Sequence, residues 1–97
     1  MKLYIDDDRP APEGWELVRN QKELIDWCLK NGCPDEVSFD HDMGLLKWDG
    51  YDCAVWMHNN EFLPLVCYVH SGNPVGAERI MNFLKDVGSL PYRVFPW

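Results

Sequence analysis

Leu65-Val66-Cys67-Tyr68-Val69-His70-Ser71-Gly72-Asn73-Pro74 is the stretch from which the fold can be read. Its first five residues are apolar without alternation, which suits a strand buried on both faces and therefore central in a parallel sheet. Asn73 then suits a helix N-cap, and Pro74 the first helical position. Ile80, Phe83, Leu84 and Val87 recur at helical spacing, and Gly88 ends the pattern. A strand that turns at once into a helix is half of a strand–helix–strand unit. Tyr92 to Phe95 reads as the strand that completes it.

Working outward, the same unit recurs upstream. Glu36 to Phe39 reads as a strand, followed by Asp40-His41-Asp42 and a loop from Met43 to Gly50. A helix is expected from Tyr51 to about Asn60, with Tyr51, Ala54, Val55 and His58 on one face. Nearer the start, Lys2 to Ile5 is a short strand. Asp6 to Gly14 is a loop broken by Pro10, Pro12 and Gly14. Trp15 to Arg19 alternates as a strand does. Asn20 can cap the next helix with Glu23 as its capping-box partner, and Leu24, Ile25, Cys28 and Leu29 form its apolar stripe to Asn31 and Gly32.

The order β, β, α, β, α, β, α, β predicts an α/β protein with a mainly parallel sheet. The expected architecture is a three-layer, flavodoxin-like, doubly wound five-stranded sheet of order 2-1-3-4-5. Its first crossover helix is replaced by the Asp8–Gly14 loop. Residues 1–97 make one domain of this kind.

A net charge of −7 argues against non-specific binding to duplex nucleic acid, which needs a basic surface. It leaves room for a small phosphorylated ligand held through a metal. No run of 18 apolar residues is present, so no membrane span or membrane partner is expected. Acid follows too soon after Met1 for a signal peptide, and a cytoplasmic location is expected. Cys28, Cys33, Cys53 and Cys67 form no C-x-x-C pair. Three lie in apolar patterns, as small buried hydrophobes of a reducing compartment do.

Three of the predicted strands end in ionisable groups: Asp6-Asp7-Asp8, Asp40-His41-Asp42 and His70-Ser71. In an open α/β sheet, ligands bind at the carboxyl ends of the strands. Carboxylates gathered there need a cation or protons. Asp6, Asp7, Asp40 and Asp42 are therefore candidate ligands of a divalent metal, Mg²⁺ or Mn²⁺, which favour carboxylate and water. Asp40 is also a candidate nucleophile. His41 and His70 are candidate proton donors or acceptors, because imidazole titrates near neutral pH. Ser71, Asn73, Arg9 and Arg79 are candidate phosphate contacts: two at a helix N-terminus, two as guanidinium clamps. Leu45, Leu46 and Trp48 follow the Asp-His-Asp motif and either pack back onto the domain or form a lid or stacking platform.

These motifs resemble the cyclic-phosphate processing receiver-like domains, a divergent branch of the response-regulator receiver fold. The matching residues are Asp7 (or Asp6), Arg9 and Pro10; then Asp40, His41, Asp42 and Gly44; then His70, Ser71, Asn73, Pro74, Val75 and Gly76. The resemblance implies a receiver-like sheet with Asp40 at the place of the phospho-acceptor. Receivers carry a lysine at the end of the last strand. This chain offers Arg93 within that strand and Pro96-Trp97 after it.

The expected function is a metal-dependent phosphoesterase acting on a cyclic phosphate or nucleotide-derived phosphodiester. The alternatives are a non-enzymatic module that binds a nucleotide or a partner protein, and a phospho-accepting receiver.

Overall fold

The computed structural model describes residues 1–41 and 48–94. Five strands and three helices alternate along the chain. They are β1 (Lys2–Ile5), β2 (Trp15–Val18), α1 (Gln21–Asn31), β3 (Glu36–Phe39), α2 (Gly50–Asn59), β4 (Val66–Val69), α3 (Pro74–Asp86) and β5 (Leu90–Arg93). All five strands are parallel, in the order β2-β1-β3-β4-β5 expected from the sequence.

Local chemistry sets the helix boundaries. The Asn20 side chain accepts from the Glu23 amide and caps α1, and Gly32 closes that helix at φ 82°, a conformation that favours glycine. Asp49 and Asp52 form a reciprocal capping box at α2. The Asn73 side chain accepts from the Gly76 amide at α3, and Pro74 opens the helix.

The strand register sorts side chains by parity. Leu3, Ile5, Val37, Phe39, Cys67 and Val69 share one face and are all fully buried. They join Leu24 and Cys28 of α1, Cys53, Ala54 and Met57 of α2, and Ala77, Ile80 and Leu84 of α3 in one apolar cluster. All three helices therefore lie on this face. The reason is topological. The connections β2→β3, β3→β4 and β4→β5 all run in the same direction across the sheet, and right-handed crossovers in one direction put their helices on one side. Only β1→β2 runs the other way, and it is a loop. The expected third layer is thus not supplied by any described helix, and the described architecture has two layers.

The other face carries Tyr4, Trp15, Ser38, Tyr68 and Tyr92. Trp15 meets both Tyr4 and Tyr68 edge-on, with ring centroids 6.1 and 5.9 Å apart, and Tyr68 tilts against Tyr92. No helix among the described residues covers this face. β4 is an interior strand between β3 and β5, as expected, but Val66 and Tyr68 are only partly covered.

Three smaller expectations also shift. In α1, Leu24 and Cys28 are buried, but Leu29 is 70% exposed, and Trp27 packs against the core in its place. In α2 the buried positions are Gly50, Cys53, Ala54 and Met57; His58 faces solvent. The helix starts one residue earlier than expected, on the Asp49 cap. β5 begins at Leu90, because Pro91 is tolerated on an edge strand, where a missing N–H costs little. Phe95, Pro96 and Trp97 lie outside the described residues.

Candidate functional site

Register alone brings the acidic strand ends together. Ile5, Phe39 and Val69 are level across β1, β3 and β4. The hydrogen-bond ladder continues one residue further, with the Asp40 amide on the Ile5 carbonyl and the His70 amide on the Phe39 carbonyl. Asp6, Asp40 and His70 are therefore level too. Two residues beyond Tyr4, Ser38 and Tyr68, they share the face that carries no described helix. One ligand atom from each of Asp6, Asp40 and His70 lies within 4.8 Å of the others, and all three residues are buried.

Asp6 is the hub. Its Oδ1 accepts from the amides of Asp8 (2.9 Å) and Arg9 (3.0 Å). Its Oδ2 faces His70 Nε2 at 3.0 Å and accepts from Arg9 Nη1 at 3.3 Å. Burial alone would raise its pKa. The Arg9 and Asp8 amides, with His70 and Arg9 behind them, outweigh that and hold the carboxyl below its ordinary range. Arg9 Nη1 also lies 3.7 Å from Asp40 Oδ2, so one guanidinium serves two buried carboxylates. The Arg9 side chain is one-third exposed, whereas that of Asp6 is fully covered. Arg19 braces the turn by donating to the carbonyls of Asp6 and Arg9.

His70 has no exposed surface. Burial drives its pKa down to about 4, against the opposing pull of Asp6, so the ring is neutral at pH 7. Its Nδ1 lies 2.6 Å from Ser38 Oγ, and its ring stacks on Tyr4 with centroids 4.1 Å apart and planes 9° apart.

His41 falls on the opposite parity and turns to the helices. Its Nε2 is 3.4 Å from Asp49 Oδ2, at the N-cap of α2. A Cβ on Gly76 would lie 2.2 Å from the His41 ring, so this ring occupies the space that a side chain on α3 would need. A Cβ on Gly50 would come within 1.8 Å of the Asp40 carbonyl oxygen. The two glycines let both helix N-termini close onto Asp40-His41.

Other sequence candidates sit further out. Asp7 is partly exposed, and burial followed by the Asp6 charge raises its pKa. Ser71 is fully buried and its Oγ accepts from the Asn73 amide. Asn73 caps α3. The Arg79 guanidinium lies over the Tyr51 ring, 3.8 Å from its centroid. Arg93 donates to the Ser71 carbonyl. Trp48 packs against the core and tilts toward Trp56 at 6.3 Å, beside a shallow surface groove. Asp42, Leu45 and Leu46 lie outside the described residues. All four cysteines are free; burial pushes Cys28 up to about 11 and Cys53 and Cys67 up to about 12, far from thiolate chemistry.

Sequence reading missed Ser38, Tyr4 and Asp49. The signal for Ser38 was present: a hydroxyl inside Val37-Ser38-Phe39, two residues before Asp40 and so on its face.

The family model of the cyclic-phosphate processing receiver domain matches residues 1–86, which span all three ionisable strand ends. The chain belongs to this family. No curated protein and no solved structure matches it. In this receiver domain, no helix among the described residues is long and apolar enough to cross a membrane. A hard divalent cation fits part of the cluster. Asp6 and Asp40 offer carboxylate oxygen and share one positive charge, Arg9. His70 fits less well, since both of its ring nitrogens already face protein partners.

Proposed function

We propose that this domain is a metal-dependent phosphoesterase that opens a cyclic phosphate or a related nucleotide-derived phosphodiester. The observation that supports it is the pair of buried carboxylates, Asp6 and Asp40, bridged by the partly exposed guanidinium of Arg9. Asp6 and Asp40 would hold Mg²⁺ or Mn²⁺ in exchange for Arg9. When bound, such a cation polarises the phosphate and lowers the pKa of an attacking water.

The remaining work belongs to the chain. Arg9, once exchanged, is a planar donor suited to two non-bridging phosphate oxygens. The first turn of α3 opens beside the same strand ends, and the positive end of its dipole favours an anion. In the reaction an oxygen of water bonds to phosphorus, one ester P–O bond breaks, and the proton ends on the departing alkoxide.

The test is turnover of cyclic nucleotide phosphates with Mg²⁺ or Mn²⁺, with and without chelator. Metal-dependent ring opening that Asp40→Asn loses is the expected result. Full activity in Asp40→Asn, or in chelator, would sink the mechanism. A binding module without turnover is the second reading. It is favoured by the near-complete burial of both carboxylates beneath Arg9. Tight nucleotide binding without conversion would establish it.

A further inference from the structure

We infer that His70 is a positioning residue for Asp6, set in its Nε2–H form by the Ser38 hydroxyl, and that it neither ligates metal nor contacts substrate. For an imidazole that carries a single proton, the contacts leave one arrangement. An ionised carboxylate can only accept, so the 3.0 Å contact between Nε2 and Asp6 Oδ2 puts the single imidazole proton on Nε2. Nδ1 must then accept, and at 2.6 Å the Ser38 hydroxyl donates to it. The Tyr4 ring, stacked nearly parallel to the imidazole at 4.1 Å, fixes the plane in which both bonds lie. The backbone adds a further restraint, since the His70 amide bonds to the Phe39 carbonyl.

Connectivity here runs serine, histidine, aspartate, the order of a hydrolase triad, yet the geometry excludes that role. Ser38 is 2% exposed in mid-strand, and its hydroxyl proton is directed at Nδ1 with no path for a substrate. What the chain of bonds does is aim Asp6. Oδ2 has two acceptor positions. His70 holds one from a fully covered site, and Arg9, one-third exposed, holds the other. A cation or ligand can take Arg9's position while the imidazole keeps the carboxylate in place.

This inference rests on the proposed function only where metal affinity is read. The first arm needs no metal: long-range ¹H–¹⁵N correlation of the histidine rings in metal-free protein. A protonated Nε2 and a bare, hydrogen-bonded Nδ1 on His70 are expected. A protonated Nδ1 would overturn the assignment. In the second arm, Mg²⁺ is titrated into the same sample. The Nε2 proton should persist at saturation; its loss would make His70 a ligand and sink the inference.

The third arm compares Ser38→Ala with Ser38→Thr. Loss of a group that orients a ligand typically weakens metal binding ~10–100-fold. Ser38→Ala should fall in that range, with a shifted Nδ1 resonance, while Ser38→Thr restores both. Equal Mg²⁺ affinity in all three proteins would overturn the positioning role. If wild type binds no Mg²⁺, the metal reading fails, and the first arm still decides how His70 is held.

Discussion

β1, β3 and β4 show opposite chemistry on their two faces. Leu3-Ile5, Val37-Phe39 and Cys67-Val69 point into a dry core sealed by three helices. Tyr4-Asp6, Ser38-Asp40 and Tyr68-His70 point the other way, to a face with no described helix, and carry almost every polar group that is buried. The difference teaches where a small domain can keep ionised groups. The helix face gains by removing apolar surface from water and would be damaged by a charge. The opposite face can hold a carboxylate because the strand ends open there to turns whose amides and guanidinium satisfy it.

The comparison can be broken at its most functional point first. Asp40→Asn keeps the shape and removes the charge, so turnover of a cyclic phosphate should fall by ~10³-fold or more while the melting temperature stays near wild type. Activity within tenfold of wild type would detach the polar face from catalysis. On the covered face, Phe39→Ala removes a fully buried ring one residue away. It should cost about 3–5 kcal/mol in urea unfolding, from lost transfer energy plus the cavity. A loss below about 1 kcal/mol would show that this face is not the close-packed one.

Acid should separate the faces next, in metal-free protein. The folded pKa of His70 lies below its unfolded value, so the unfolded chain takes up the proton first. The contribution is complete above about pH 6.5 and is lost as pH falls toward 4, amounting to roughly 3 kcal/mol. Asp6, also lowered when folded, adds a further loss below the ordinary carboxylate range. Urea midpoints from pH 7 to 4 should fall steeply in wild type and less in His70→Gln. Parallel slopes would remove His70 as the source. Ser38→Ala leaves a buried Nδ1 without its donor and should cost about 1–3 kcal/mol. Smallest of all, Leu29→Lys at an exposed position of α1 should change stability by less than about 0.5 kcal/mol.

Strand and helix identities, their order and the sheet order were legible in the sequence. Period-two and period-3.6 patterns, with Asn20 and Asn73 as caps and Gly32 and Gly88 as stops, are local signals that survive folding. The family motifs were legible for the same reason, being short and contiguous. The layer count was not. It follows from the direction in which each crossover runs, which no single segment carries. Nor could the sequence divide roles among Asp6, Asp7 and Asp8, whose parities depend on where the strand ends and the turn begins.

By itself, then, the sequence determined which strand ends carry carboxylate and imidazole, because these residues lie directly after apolar runs. Only the tertiary structure decided that Asp6, Asp40 and His70 meet while His41 turns away to Gly76, because lateral register and face are set between strands. The same holds for Ser38. An ordinary serine along the chain, it becomes the partner of a histidine 32 residues away once β3 and β4 pair level.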